Sequence, residues 1–455
     1  MLISLILLVT AVTLVLTAVR PKWGACLIWL ILFTYPHNWW FNHPLLPLNM
    51  GVDDLFCIAL FLIVVIRRNL LGGVPVRLGY AFWVITAFAL VATVANLSGA
   101  TDAPCDRLLY VKDILKLYVY WGLFYAVLHC IDDAADLRRQ FTMFSLAAVA
   151  GGGLVVLHYF FPGRMQDWSN PSFLEIEEIT GRASGPFLNP NGAACVLACS
   201  LVLVVTALQI QGSRLVKGLL GLSCGVLLLG VLVTKSRSGL LALAVTFGLM
   251  ALLGRNRKVA WMVIAGALLV GATFAGVREA FRARIATVYD PTAQTWSQNV
   301  TGREETWQRY FQTATPQVYL LGQGQRGGII RNGAETHSAY VSALTVYGVG
   351  GLMWAIASLI GFGVKARTGR EHEDPLTATV RSGCLWALVA WALYAATSDA
   401  ISSQYPRYLL FYMVVLVDRA GALAKETDLA HAHWDQILEE QVQPTEPLVP
   451  VAMGS

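Results

Sequence analysis

The sequence predicts an all-α polytopic membrane protein with about 12 to 13 transmembrane helices and one long periplasmic loop that contains short helices. The chain is 56% hydrophobic and only 13% charged, which is well below the charged share of a soluble domain. Its apolar residues gather in runs that are separated by short polar loops. One segment between two such runs, residues 278–336, is long and polar.

The apolar runs follow one another along most of the chain. Each must be helical, because backbone groups in lipid need hydrogen-bond partners within their own segment. The runs are residues 2–19, 24–36, 52–66, 78–95, 114–130, 141–162, 187–209, 216–234, 238–253, 259–277, 338–363, 382–397 and 405–417. Segments 24–36 and 405–417 fall short of the roughly 20 residues that a full span requires.

Basic residues fix the orientation, because cytoplasmic loops carry an excess of Lys and Arg. They cluster at alternate loops, which places all these clusters in the cytoplasm and residues 278–336 outside it. The clusters are Arg20/Lys22, Arg67/Arg68/Arg77, Arg138/Arg139, Arg214/Lys217, Arg255/Arg257/Lys258, Lys365/Arg367/Arg370/Arg381 and Arg419/Lys425. Because these basic residues occupy short loops between apolar runs, we expect no nucleic-acid partner.

Four regions follow from this topology. Residues 1–277 form an N-terminal transmembrane bundle, and residues 278–337 form a periplasmic catalytic loop. Residues 338–420 are C-terminal transmembrane helices. Residues 421–455 are a polar cytoplasmic tail, which we expect to be disordered beyond one short helix.

Several cations break the positive-inside pattern on the external face. Lys235 and Arg237 lie at an almost loopless junction of two spans, Arg182 precedes another span, and Arg303 lies in the long loop. Cations close to hydrocarbon are costly unless an anion compensates them. Arg binds phosphate oxygens bidentately and keeps its charge, so Arg237, Arg303 and Arg182 are candidates for binding a lipid diphosphate. Snorkelling, or pairing with the acids at positions 175, 177 and 178, is the alternative.

His337 stands at the end of the polar loop, where the next span begins. If a sugar leaves from a lipid diphosphate, the attacking hydroxyl benefits from a base, and an imidazole titrates near neutral pH. Attack opposite the leaving group inverts the anomeric centre. A helix-capping role for the histidine is the alternative.

The acidic pairs in the chain do not indicate a metal site. Asp53-Asp54 is interpreted as an N-cap and Asp132-Asp133 as a solvated helix edge, so we expect no catalytic metal and no cofactor.

Four sequence pieces, in this order, resemble the O-antigen ligase family, which includes related polysaccharide polymerases. They span roughly residues 180 to 365 and are Gly185-Pro-Phe-Leu-Asn-Pro-Asn191, Ser236-Arg237-Ser-Gly239, Thr301-Gly302-Arg303 with Trp307, and His337-Ser-Ala-Tyr340 running into Tyr347-Gly348-Val349-Gly350-Gly351-Leu352. The resemblance implies a GT-C-like glycosyltransferase of the bacterial inner membrane that takes a glycan from undecaprenyl diphosphate at the periplasmic face. The acceptor is a sugar of lipid A–core in the ligases and another lipid-linked glycan in the polymerases.

The resemblance also implies roles for individual residues. The essential histidine of the family corresponds to His337, and its essential arginines correspond to Arg237 and Arg303, with Arg182 as a third. We add Lys235, Asn191, Arg326 and Tyr340 as further candidate substrate contacts. Ser338 departs from the family, which often has Asn there. The N-terminal third carries no matching motif, so the acceptor is not identified.

Three functions remain open at this stage. A ligase-type transferase is the preferred interpretation, and a polymerase that extends O-antigen or exopolysaccharide is the nearest alternative. A flippase or transporter of lipid-linked glycans belongs to another class, in which internal repeats and charges along a central path are common. No clear repeat is visible here, and the external cations gather at one face.

Overall fold

The computed structural model describes residues 2–35, 51–102, 107–165, 181–187, 189–208, 213–254, 257–273, 303–333, 335–367 and 374–442. Within these ranges the chain is helical and contains no strand, which confirms the all-α class. The α-helices are α1 (Leu2–Val19), α2 (Pro21–Thr34), α3 (Val52–Val64), α4 (Tyr80–Asp102), α5 (Arg107–His129), α6 (Ala134–Phe160), α7 (Pro190–Ala207), α8 (Arg214–Val233), α9 (Arg237–Leu253), α10 (Arg257–Thr273), α11 (Arg303–Thr313), α12 (Pro316–Leu321), α13 (Gly324–Asn332), α14 (Ala339–Thr345), α15 (Gly348–Arg367), α16 (Pro375–Thr397) and α17 (Gln404–Val442).

Six helices in the described ranges are long and apolar enough to cross a membrane: α4, α6, α7, α8, α15 and α16. Helices α2 and α9 and the second half of α1 are apolar but shorter. The chain is therefore a multi-pass membrane protein. The larger count of about 12 to 13 spans depends on these shorter helices and on α3, α5, α10 and α17, and it stays a prediction.

Short helices fill the described part of the long loop, as predicted. Helices α11, α12 and α13 follow one another between residues 303 and 332. The first part of the loop, residues 278–302, lies outside the described residues.

The predicted span 338–363 is divided into two helices, α14 and α15. The break falls at Gly348, which has a φ of +70°, and Gly322 at the end of α12 has a φ of +80°. The two backbones are in contact, since a Cβ on Gly348 would lie 2.6 Å from the amide nitrogen of Gly322. Glycine is required at both positions because other residues rarely adopt this conformation and have no room.

The last predicted span, residues 405–417, is part of a much longer helix. Helix α17 contains 39 residues and continues to Val442. The tail that we expected to be largely disordered is therefore helical as far as Val442, and residues 443–455 lie outside the described part of the chain.

Helix α7 occupies the centre of the bundle and packs against α6, α8, α9, α16 and α17. It is rich in Ala, Val and Cys, and 17 of its 18 residues are buried. Small side chains allow neighbouring backbones to approach closely in membrane bundles. The remaining residue of this fully described helix is Asn191, in its first turn.

Charged side chains from three predicted cytoplasmic clusters meet at one end of the bundle. Asp132, between α5 and α6, lies 2.7 Å from Lys22 Nζ, 2.6 Å from Arg68 and 2.7 Å from Arg77. Arg419 of α17 donates to the Ile131 carbonyl in the same connection. This convergence is expected if the basic loops share one side of the membrane.

Candidate active site

A cavity of about 620 Å³ lies at the other end of the bundle. Helix α5 contributes Leu109 and Asp113 to the cavity and ends at His129, close to Asp132. Its 23 residues correspond to a length of about 35 Å, so the cavity and the Asp132 cluster lie at opposite ends. A volume of this size is typical of ligand sites.

Four of the residues predicted from the sequence line this cavity: His337, Arg182, Asn191 and Arg326. They come from the loop before α14, from the segment before α7, from α7 itself and from α13. Residues separated by more than 150 positions in the chain therefore share one chamber.

The backbone of His337 is strained and held from several directions. Its φ is +52°, a left-handed conformation that non-glycine residues rarely adopt. The preceding carbonyl, of Thr336, accepts a hydrogen bond from Trp307 Nε1 at 2.6 Å. On the other side, the Ala339 amide donates to the Ser398 carbonyl at 3.1 Å. Such strain persists where the surrounding structure enforces it, and it concentrates at functional sites.

Asp399 anchors the His337 loop to the connection between α16 and α17. This buried carboxylate accepts hydrogen bonds from Thr336 Oγ1 at 3.1 Å, from Ser342 Oγ at 2.5 Å and from the Ser402 amide at 3.0 Å. Burial raises the pKa of Asp399, and its hydroxyl and amide donors oppose that rise. The sequence analysis missed this residue; the available signal was an acidic residue between two spans on the external face.

Electrostatics favour a neutral imidazole at His337. Burial lowers the pKa of His337, the positive charge of Arg303 lowers it further, and Asp399 opposes the decrease. Burial likewise lowers the pKa of Arg303, and the nearby guanidinium of Arg237 adds to this effect. Arg237, Arg303 and His337 are therefore close enough to interact, and the arginines remain charged because arginine does not deprotonate in proteins. A neutral imidazole can accept a proton.

A hydrogen-bond network joins two of the sequence motifs. Arg182 donates to the Thr234 carbonyl at 3.0 Å and to Asn191 Oδ1 at 2.7 Å. Ser236 Oγ donates to the same Asn191 oxygen at 2.9 Å. Ser236 is also the N-cap of α9, whose first residue is Arg237. The network therefore holds the Arg182 side chain against the turn that precedes Arg237.

Four residues of the predicted site, Arg237, Arg303, Lys235 and Tyr340, are not among the residues that line the cavity. Lys235 has a φ of +50°, and its ammonium lies 5.5 Å from the centre of the Tyr159 ring. Tyr340 is 42% exposed and donates from its hydroxyl to the Ala392 carbonyl at 3.0 Å.

The cavity also contains charged residues that the sequence analysis did not select: Asp113, Lys116, Glu335 and Arg407. Asp113 and Lys116 lie three residues apart, at the start of an apolar segment. Charges at such positions indicate a functional site by default, and this signal was available in the sequence. Burial and the negative charge of Asp399 raise the pKa of Glu335.

Within the described ranges, no group of three or more His, Cys, Asp or Glu side chains is arranged to hold a metal ion. The N-cap of α3 is Gly51 rather than either aspartate, and Asp54 at the third helical position accepts a hydrogen bond from the Gly51 amide at 3.0 Å. Independence from metal stays a prediction.

The helical membrane fold and the cavity together define a multi-pass membrane protein with a polar, cation-containing chamber inside its helix bundle. Residues 222–356 match the family model described as O-antigen ligase. The matched region contains Arg237, Arg303 and His337, whereas Arg182 and Asn191 precede it. The match confirms the predicted resemblance to the O-antigen ligase family over residues 222–356, and it supports a membrane glycosyltransferase of the ligase or polymerase type. No curated protein matches the chain.

Proposed function

We propose that the protein transfers a glycan from undecaprenyl diphosphate to a sugar hydroxyl of lipid A–core at the periplasmic face of the bacterial inner membrane. The main support is the placement of His337 and Arg182 in one cavity, at the end of the bundle opposite the basic loops. In addition, the positive charge of Arg303 lowers the pKa of His337, and the positive charge of Arg237 lowers the pKa of Arg303.

The donor diphosphate binds to Arg182, Arg237 and Arg303. A guanidinium carries five N–H donors, so each arginine can donate to phosphate oxygens in addition to its contacts within the protein. The polyprenyl tail stays in the bilayer, and the diphosphate lies at the interface. As the bond between the sugar and the diphosphate breaks, negative charge grows on the leaving oxygen, and the guanidinium groups stabilise it.

His337 is the general base. The acceptor hydroxyl gives its proton to the neutral imidazole, and its oxygen attacks the anomeric carbon from the side opposite the diphosphate. The new carbon–oxygen bond forms, the bond to the diphosphate oxygen breaks, and undecaprenyl diphosphate leaves with the electron pair. The configuration at the anomeric carbon is inverted, and the scheme needs neither a metal ion nor a cofactor.

The direct test uses purified protein in lipid nanodiscs with an undecaprenyl-diphosphate-linked repeat unit and lipid A–core lacking O-antigen. His337→Ala should lower the transfer rate by about 10²- to 10⁴-fold, the usual contribution of a general base, while donor binding is retained. His431→Ala, on the exposed part of α17, is the matched control and should keep the wild-type rate. Transfer at the wild-type rate by His337→Ala would refute the role of His337 as the base.

The same system separates the other two functions. A polymerase would lengthen lipid-linked chains when no lipid A–core is present. A flippase would move the donor across a vesicle membrane without forming a glycosidic bond. A single transfer that depends on lipid A–core supports the ligase.

A further inference from the structure

One face of α5 forms a wall of the cavity. Leu109, Asp113, Lys116, Leu117 and Tyr120 all line it. Their separations of four, three, one and three residues place them on a single face of the helix. Polar side chains at three of these positions are unusual in a predicted membrane span and call for a functional explanation.

The cations on this wall are paired with carboxylates. Arg326 of α13 forms a two-point ion pair with Asp113, at 3.0 and 3.1 Å. Lys116 lies 3.3 Å from the buried carboxylate of Asp54. Arg326 and Asp113 are each about one-third exposed, so they remain accessible to a ligand. The wall therefore carries strong hydrogen-bonding groups but little net charge.

The deeper part of the wall has a fixed hydrogen-bond pattern. Tyr120 donates from its hydroxyl to Asp54 at 2.9 Å and accepts from the Gln404 amide at 3.1 Å. Gln404 also lines the cavity. These groups hold each other in place before any ligand binds, which reduces the entropic loss on binding.

We infer that this wall, formed by Asp113, Lys116 and Tyr120 of α5 with Arg326 of α13, is the acceptor subsite and that it recognises an uncharged, polyhydroxylated sugar ring. This inference rests on the proposed transferase function. Sugar hydroxyls both donate and accept hydrogen bonds, so they can bind to ion-paired carboxylate, guanidinium and ammonium groups without disturbing the charge balance. A phosphate would meet repulsion from Asp113 and would find both cations already compensated. The donor diphosphate, by contrast, binds near Arg182, Arg237 and Arg303.

The first test measures the Michaelis constants of both substrates separately. Asp113→Ala should raise KM for lipid A–core about tenfold or more, the effect of losing a charge-assisted hydrogen bond, and should leave KM for the lipid-linked donor within about twofold. Leu115→Ala is the matched control, because Leu115 lies on the same helix and points outwards. A raised donor KM with an unchanged acceptor KM would overturn the assignment.

A variant that exchanges the two charged residues tests whether the Asp113–Arg326 ion pair binds the acceptor or only stabilises the fold. Asp113→Arg combined with Arg326→Asp restores the ion pair and should restore thermal stability, but it reverses the positions of the groups that meet the sugar. We expect its acceptor KM to remain raised about tenfold or more. A wild-type acceptor KM in this variant would show that the pair only supports the fold.

Acceptor binding without donor distinguishes failure of this inference from failure of the proposed function. Titration of nanodisc-embedded protein with lipid A–core needs no turnover, so it can be interpreted even if transfer is not observed. Binding should weaken about tenfold in Asp113→Ala. A lipid-anchored oligosaccharide with a neutral terminal hexose should bind about tenfold more tightly than its phosphorylated counterpart, and the reverse order would overturn the inference.

Discussion

Replacing Asp399 by Ala should uncouple the His337 loop from the connection between α16 and α17. The carboxylate accepts three hydrogen bonds, and a bond to a charged group contributes about 1.5 to 3 kcal/mol. Thr336 and Ser342 are 2.5 Å apart through their hydroxyl oxygens and can keep bonding to each other, whereas the Ser402 amide loses its acceptor. Relief of carboxylate burial offsets part of the loss, so the free energy of unfolding should fall by about 2 to 4 kcal/mol.

The larger effect should be on catalysis. A shift of about 1 Å in a catalytic group lowers a rate by roughly a hundredfold, and Thr336 directly precedes His337. The kcat for glycan transfer should fall by about that factor, while the donor KM changes little. Both are measured in nanodiscs, and thermal unfolding of the same samples gives the folded fraction.

A second carboxylate provides the control. Asp374 caps the opposite end of α16 by accepting from the Leu376 and Thr377 amides at 3.0 and 3.3 Å. Asp374→Ala should lower stability without lowering the kcat of the folded protein. If Asp399→Ala retains the wild-type kcat after correction for folded protein, Asp399 does not position His337.

Other variants test the electrostatics and the packing. Arg303→Gln removes a positive charge that disfavours the imidazolium, so the pKa of His337 should rise and the acid limb of the kcat–pH profile should move to higher pH; a shift to lower pH would contradict this. Arg182→Lys keeps the charge but loses the planar guanidinium that Thr234 and Asn191 hold in place, and donor KM should rise about tenfold in steady-state kinetics. Gly348→Ala, with its Cβ 2.6 Å from the Gly322 nitrogen, should lower the melting temperature by several degrees, as thermal unfolding would show. Added EDTA should leave the transfer rate unchanged.

The membrane class was predictable because hydropathy is a local property. A long apolar run must be helical in lipid, whatever it packs against. The division between α14 and α15 was not predictable in the same way, since it depends on contact between Gly348 and Gly322. Likewise, the continuation of α17 to Val442 crosses from apolar to polar sequence, and the hydropathy signal ends at that boundary.

Two of the site residues were predicted from their position relative to the spans. Arg182 stood out as a cation on the external side and His337 as a titratable group where the polar loop meets a span, and both line the cavity. Tyr340 was selected from a motif alone, and it lies outside the cavity lining. For Asp399 and Asp113 the sequence offered only the signal of an acidic residue beside a predicted span, and their roles depend on partners more than 50 positions away, Thr336 and Arg326.

The tight packing of α7 limits how far one side of the cavity can move when a ligand binds. A Cβ on Gly239 of α9 would lie 2.5 Å from that of Ala194, and one on Gly230 of α8 would lie 2.8 Å from Leu197. Interiors packed this closely transmit strain rather than absorb it. The Asn191 side of the chamber therefore acts as a rigid floor.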